Sequence, residues 1–212
     1  MLKVGLTGNF HSGQNEVAKI FDSLSVPVFD ADLVLKYLIN YSQKHIIKIK
    51  QEFGENIYRL GLLDLKRFDT NSNWDKLIDI VEIDIIESYE RFRLKHNYST
   101  YVIFKYSFLF ERKINTSMDY NINCYRPSYS RKNDISLLTY MDSYSISSLI
   151  ENELDETYKN KNSDYIINNH ITNGTSIDLE NKVLRVNEMI MKKIPQDNFV
   201  TSGNEYSSGF WD

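Results

Sequence analysis

Two glycines near the amino terminus, Gly8 and Gly13, are separated by four residues and stand between two different sequence patterns. The run Leu2–Thr7 before them is typical of a short buried strand. After them, apolar residues recur at the spacing of a helix that packs on a sheet, at Val17, Ile20, Phe21 and Leu24. A glycine-bearing turn between a strand and a helix presents backbone N–H groups that bind phosphate. The segment therefore predicts an α/β fold that begins with a phosphate-binding loop.

The two positions after Gly13 depart from the motif that this spacing predicts. Such a loop continues with Lys, which contacts the β- and γ-phosphates, and with Ser or Thr, whose hydroxyl binds Mg²⁺. This chain has Gln14 and Asn15 instead. Losing one charge-assisted contact to phosphate costs about 1.5–3 kcal/mol, and the transition state of phosphoryl transfer depends strongly on such contacts. Two interpretations stay open: a vestigial phosphate site that includes Gly8, Gly13, Gln14 and Asn15, or a purely structural turn.

Strands and helices alternate along the rest of the chain. Further strands are predicted at Val26–Phe29, Tyr101–Tyr106, Tyr120–Tyr125 and Asp164–Ile167. Helices are predicted at Asp32–Asn40, Gln43–Phe53, Asn73–His96, Asp134–Leu154 and Ser176–Lys193. This alternation is typical of a parallel, doubly wound sheet. Asp30-Ala31-Asp32 follows the second strand, where such sheets carry functional groups, although the same residues also suit a helix N-cap.

Charge and cysteine content exclude several classes of function. A formal net charge of −4 argues against nucleic acid as a direct partner, because no basic excess is available to displace counterions. The single Cys124 excludes an internal disulfide and a cysteine-based zinc site, and we expect it in a buried strand. No apolar run approaches the ~20 residues of a transmembrane helix. We therefore expect a soluble, cytoplasmic protein with no membrane partner and no bound metal.

Five segments resemble, in order, those of the dephospho-CoA kinase family. They are MLKVGLTG with the following VAKIF, VPVFDAD at 26–32, FGENIYRLGLLDLKRF at 53–68, YVIFKYSFLFE at 101–111 and SDYIINN at 163–169. Members of that family use ATP to phosphorylate the ribose 3′-hydroxyl of dephospho-CoA. The resemblance implies a P-loop NTPase-like, three-layer α/β/α fold with a central parallel sheet and a helical lid and substrate region.

The resemblance also implies positions for the domain and its site. One domain is expected over residues 1–194, with a helical insertion at about 32–97 and a lid at about 126–155. By the family pattern, Asp32 is the base near the accepting hydroxyl, and Asn169 joins the loop residues in the nucleotide site. Residues 195–212 are then a separate carboxyl-terminal tail.

The departures from the family fall on its catalytic residues. Besides the two loop substitutions, Ile83-Asp84 replaces a His-Pro pair, and Leu137 or Leu138 stands where the family has a phosphate-clamping arginine. Arg126, Arg131 and Lys132, just upstream, are available to compensate. We expect a catalytically impaired relative, a pseudokinase that acts through binding or assembly, with no cofactor beyond weakly bound ATP and Mg²⁺. The alternative is an active, divergent kinase that phosphorylates dephospho-CoA or a nucleotide.

The tail suggests a partner. Phe210 and Trp211 lie next to the chain end in a polar segment, and aromatic side chains of this kind often anchor protein interfaces. We expect them to bind a protein partner in a larger assembly or to fold back on the body of the domain. The abundance of Asn, Ile, Lys and Tyr suits an A/T-rich genome, such as that of a virus, and a phage virion component in the host cytoplasm is one interpretation.

Overall fold

The computed structural model describes residues 1–64, 71–135, 153–170 and 176–194. Its strands are β1 (Leu2–Gly8), β2 (Val28–Asp30), β3 (Tyr58–Arg59), β4 (Leu62–Leu63), β5 (Tyr101–Lys105), β6 (Tyr120–Tyr125) and β7 (Tyr165–Asn168). Its α-helices are α1 (Gln14–Ser23), α2 (Ala31–Tyr41), α3 (Gln43–Phe53), α4 (Asn71–Lys95), α5 (Ser128–Ile135), α6 (Glu156–Lys161) and α7 (Ser176–Met191). Short 3₁₀ turns occupy Glu55–Ile57 and Ile114–Ser117.

Five strands form one parallel sheet in the order β2-β5-β1-β6-β7. The central strand β1 pairs on one side with β5, where Gly5 lies opposite Phe104, and on the other side with β6, where Gly5 lies opposite Asn121. Every residue of β5 is buried, as expected for a parallel strand that is covered on both faces. Because the strands are parallel, their carboxyl ends share one edge of the sheet, and this is where α/β proteins place their sites.

Alternate residues of β5 contribute to two separate hydrophobic cores. Val102 and Phe104 pack with buried residues of α2, α3 and α4. Tyr101 and Ile103 pack with buried residues of α1 and α7. Since successive strand residues point to opposite faces, helices cover both sides of the sheet. The predicted three-layer α/β/α architecture is confirmed.

Two local predictions need correction. The small antiparallel hairpin of β3 and β4 lies inside the region predicted to be helical. The predicted helix Asp134–Leu154 is confirmed at Asp134 and Ile135, which belong to α5, but is wrong at Glu153 and Leu154, which lie outside any helix; residues 136–152 lie outside the described ranges. A separate helix, α6, begins after Asp155, whose side chain accepts a hydrogen bond of 2.7 Å from the Thr157 N–H and caps it. Among the helices in the described ranges, none combines the length and apolar character needed to cross a bilayer.

Candidate functional site

The loop between β1 and α1 has a backbone that only glycine suits at its two ends. Gly13 has a φ of 97°, in the left-handed region. A Cβ at Gly8 would stand 2.3 Å from Ser12 Oγ and 2.7 Å from the Cys124 carbonyl oxygen. A side chain at either position would therefore distort the loop. The glycine spacing seen in the sequence reflects this close packing.

Two side chains from neighbouring strands hold the loop through one carbonyl group. Asn169 Nδ2, just after β7, donates a hydrogen bond of 2.9 Å to the Ser12 carbonyl oxygen, and the Cys124 thiol donates to the same oxygen at 3.2 Å. A Cβ at Gly13 would lie 2.0 Å from Asn169 Nδ2. Burial raises the pKa of the Cys124 thiol to about 12, which makes it an unreactive structural thiol. Cys124 is buried in a strand, as predicted.

The two substituted loop positions face different surroundings. Gln14 Nε2 donates a hydrogen bond of 2.8 Å to Ser107 Oγ, which follows β5. Asn15 is exposed. The neutral side chain of Gln14 is thus held by the protein itself, and the loop presents no lysine to a phosphate. The lysine and the hydroxyl that a phosphate-binding loop of this type uses are therefore missing from these two positions.

Asp32 lies in a buried group of charges at the carboxyl ends of β2 and β5, which we call the Asp32 cluster (Asp30, Asp32 and Lys105). Lys105 is only 3% exposed, and its Nζ lies 2.9 Å from Asp30 Oδ2 and 3.2 Å from Asp32 Oδ2. Ser107 donates to Asp32 twice, from its backbone N–H and from its hydroxyl, both at 3.0 Å. Burial raises the pKa of the Asp32 carboxyl, although Lys105 and the Ser107 N–H act in the opposite direction.

The two aspartates have different functions in the fold. Asp30 caps α2 by accepting a hydrogen bond of 3.0 Å from the Leu33 N–H. Asp32 lies in the first turn of α2 and is connected to Gln14 through the Ser107 hydroxyl. The capping interpretation therefore applies to Asp30. The structure joins Asp32 to the loop by hydrogen bonds through one intervening side chain.

A second buried lysine lies beside the same serine. Lys159 of α6 is 1% exposed, pairs with Glu111 at 2.8 Å and reaches to 3.5 Å from the Ser107 carbonyl oxygen. Sequence reasoning missed Lys105, Ser107 and Lys159 as site residues. Lys105 did carry a signal, since it is the one charged residue in the apolar run YVIFKY. Lys159 lies in the charged stretch ETYKNK, which has no such contrast.

Arg131 forms a second buried group of charges over the loop, which we call the Arg131 cluster (Arg131, Glu153 and Glu156). Its guanidinium is 1% exposed and donates to Glu153 Oε2 at 2.8 Å, to Glu156 Oε1 at 2.5 Å and to the Phe10 carbonyl oxygen at 2.8 Å. Glu153 Oε1 accepts a hydrogen bond from the Phe10 N–H. Burial raises the pKa of the Glu153 carboxyl, although Arg131 opposes this shift. Arg131, predicted as a compensating cation, is therefore paired with carboxylates.

Several predicted site residues lie elsewhere. Ile83 is exposed, and Asp84 contacts Lys44 at 3.1 Å and His45 at 2.9 Å. Some predicted residues lie outside the part of the chain that the structure describes. They are Phe210 and Trp211 of the tail, Leu137 and Leu138 at the lid-arginine position, and the side chain of Lys132, predicted as a compensating cation. Within the part of the chain that the structure describes, no three His, Cys, Asp or Glu side chains gather so as to hold a metal ion.

Comparisons with known proteins agree with the fold. The sequence model of the family described as dephospho-CoA kinase matches residues 2–174. A dephospho-CoA kinase from Zymomonas mobilis is 26% identical over 176 residues, which cover 80% of this chain and 88% of that protein. Two solved structures have a similar fold, and each match covers 90% of this chain and 97% of the other chain. TT1252 from Thermus thermophilus has a TM-score of 0.73 at 18% identity. A dephospho-CoA kinase from Campylobacter jejuni has a TM-score of 0.60 at 17% identity.

Proposed function

This chain belongs to the dephospho-CoA kinase family, and we propose that it binds a phosphate-bearing ligand of that family without catalysing efficient phosphoryl transfer. The observation that carries this proposal is the hydrogen bond from Gln14 Nε2 to Ser107 Oγ, at the position where the motif has its lysine. A neutral amide that is already bonded to the protein supplies no charge to a phosphate. The exposed Asn15 supplies no hydroxyl to Mg²⁺.

Three buried cations near the loop support the same conclusion. Lys105 lies between two aspartates, Lys159 is paired with Glu111, and Arg131 lies between two glutamates. Phosphoryl transfer is catalysed mostly by positioning and by charge that is available to the transferring group. Each of these three cations is instead neutralised by carboxylates of the chain. The loop backbone remains suited to a phosphate, so binding is the function that the geometry supports best.

Restoring the two side chains tests the proposal. In a coupled assay with ATP, Mg²⁺ and dephospho-CoA, we expect the native chain to turn over far below the ~1–100 s⁻¹ of ordinary kinases. The double variant Gln14→Lys/Asn15→Thr should be at least about 100-fold faster, because one missing charge-stabilising donor typically costs 10²–10³ in rate. Gln14→Met/Asn15→Thr is the matched control, since it lacks the charge and should show no gain.

Two further outcomes of the same assay are informative. Adding Asp32→Asn to the restored variant should abolish the gain if Asp32 is the base for the accepting hydroxyl, as the family pattern implies. Turnover of the native chain at an ordinary kinase rate would contradict the proposal. It would favour a second candidate, an active kinase in which Lys159 replaces the missing lysine, because its Nζ is 3.5 Å from the Ser107 carbonyl oxygen. Lys159→Met would then abolish the activity.

We also propose that the tail binds a protein partner, with Phe210 and Trp211 as its anchors. The support is the aromatic pair itself, which lies in a polar segment, since aromatic side chains of this kind often anchor protein interfaces.

A further inference from the structure

The segment that precedes α6 contacts the phosphate-binding loop through a carboxylate. Glu153 Oε1 accepts a hydrogen bond from the Phe10 N–H, and its side chain is 12% exposed. A second contact follows at once, where Asn9 Nδ2 donates to the Leu154 carbonyl oxygen at 3.2 Å. Phe10 and Asn9 both lie between the two glycines of the loop. The loop is therefore in contact with an anion that belongs to the chain itself.

The Glu153 carboxylate accepts hydrogen bonds from the same kinds of donor that bind a phosphate. A loop of this type uses backbone N–H groups to bind an anion, and here one N–H already donates to a carboxylate. Arg131 donates to the other oxygen of the same carboxylate at 2.8 Å and to the Phe10 carbonyl oxygen at 2.8 Å. Glu153 thus occupies both the backbone donor and the nearby guanidinium, which are the two kinds of group that bind phosphate strongly.

The charges around this contact oppose a second anion. Glu153 and Glu156 place two carboxylates on Arg131, and the other nearby cation, Lys159, is already paired with Glu111. A phosphate that approached Phe10 with Glu153 in place would meet a like charge in a poorly hydrated site, and repulsion there is much stronger than in water. Binding at this end of the loop therefore requires that the carboxylate leave.

We propose that Glu153 is an autoinhibitory occupant of the loop, and that a polyphosphate binds Phe10 and Arg131 only by displacing it. This inference rests on the proposed function in taking the loop as a phosphate site, and it adds how access to that site is controlled. The competition is internal, since donor and acceptor groups lie on one chain 143 residues apart. The competition with a polyphosphate depends on the negative charge of Glu153, and the isosteric substitution Glu153→Gln removes that charge.

The test uses inorganic tripolyphosphate as the probe and isothermal titration calorimetry of the full chain. Glu153→Gln keeps the shape of the side chain and an oxygen for the Phe10 N–H but removes the charge, so we expect at least about tenfold tighter binding than in the native chain. Glu156→Gln is the matched control, because Glu156 contacts Arg131 but has no described contact with the loop. We expect its affinity to change less than threefold. Equal affinity of Glu153→Gln and the native chain, or no binding by either, would overturn the inference.

A second measurement does not depend on the ligand. Hydrogen exchange of the Phe10 amide, followed by NMR, should be slow in the native chain and faster in Glu153→Ala, which lacks the acceptor. Unchanged protection would overturn the inference even if the variants bind the probe. The kinase assay tests the loss of catalysis separately from autoinhibition. Fast turnover by the native chain would contradict the loss of catalysis, whereas the effect of Glu153→Gln on tripolyphosphate affinity would still measure autoinhibition.

Discussion

The Asp32 cluster and the Arg131 cluster share one design but differ in how the protein holds them. Each places one buried cation between two carboxylates, at the same edge of the sheet. In the Asp32 cluster, Lys105 lies opposite Asp30 in the register of two paired strands. In the Arg131 cluster, Glu153 lies outside any helix or strand and meets Arg131 and the loop through side-chain contacts. The first cluster is part of the sheet, and the second is attached to the loop.

Because of this difference, we regard the Asp32 cluster as a structural charge group and the Arg131 cluster as one whose Glu153 can be displaced. The pairing of β2 with β5 places Lys105 beside Asp30, and the lysine side chain is only 3% exposed, so it has little room to turn toward water. Moving Glu153 requires only the loss of side-chain hydrogen bonds and the rehydration of a carboxylate. Both clusters pair a buried cation with carboxylates, and we expect only the Arg131 cluster to release its cation to a polyphosphate. The comparison therefore predicts unequal effects when each cation is removed.

The largest effect is expected for Lys105→Met. Removing one partner of a buried pair leaves its carboxylates uncompensated, and this typically costs about 3–5 kcal/mol in the free energy of unfolding. We expect a loss at the lower end of that range, about 3 kcal/mol, because Asp30 is partly exposed. Urea unfolding curves measure it. The matched control is Lys44→Met, since Lys44 also pairs with an aspartate but is 60% exposed, and an exposed pair contributes less than about 1 kcal/mol. Equal losses for the two variants would contradict the structural character of the Asp32 cluster.

Whether a feature of the fold or site can be predicted from the sequence depends on how far apart its residues lie along the chain. The strand, turn and helix around Gly8 and Gly13 are predicted correctly because they depend on local sequence patterns. The parallel sheet was predicted because each buried strand is a short apolar run. The pairing of Lys105 with Asp30 was missed, since the two residues lie 75 positions apart and their contact depends on strand order and register. Glu153 carried no local signal of its contact with Phe10.

The substitutions at the site were informative for a different reason. Gln14 was recognised as a departure because the motif specifies a charge at that position. The sequence did not predict that Ser107 would receive its side chain, because this hydrogen bond joins α1 to the residues after β5. The motif thus shows that a lysine is absent at position 14, whereas the hydrogen-bond partner of Gln14 is known only from the tertiary structure.

A smaller effect is expected for Arg131→Met. The substitution removes hydrogen bonds to two carboxylates, and bonds to charged groups are worth about 1.5–3 kcal/mol each when their partners stay buried. Glu153 lies outside any helix or strand and Glu156 is 22% exposed, so both carboxylates can turn toward water, and we expect a total loss of about 2 kcal/mol. Urea unfolding measures this loss alongside that of Lys105→Met. A larger loss for Arg131→Met than for Lys105→Met would reverse the comparison.

The smallest effect is a change in pH dependence on replacing Asp32 by Asn. Burial raises the pKa of Asp32 in the folded state, so the folded chain holds this proton more tightly than the unfolded chain. The corresponding stability is complete below the unfolded pKa, near 3.9, and is lost as pH rises through the folded pKa. The unfolding free energy of Asp32→Asn relative to the native chain should therefore increase with pH above about 4, by no more than about 1.4 kcal/mol per pH unit for one proton.

Asp84 provides the control of opposite sign. Its hydrogen bond with His45, assisted by Lys44, lowers the pKa of the Asp84 carboxyl in the folded state. The stability that Asp84 contributes is then present above about pH 4 and is lost as pH falls through the folded pKa. The difference between the native chain and Asp84→Asn should be constant above pH 4 and shrink below it, whereas the Asp32→Asn difference should change only above pH 4. A flat Asp32→Asn difference would mean that Lys105 fully compensates the burial of Asp32, and that the two charges act as a neutral structural pair.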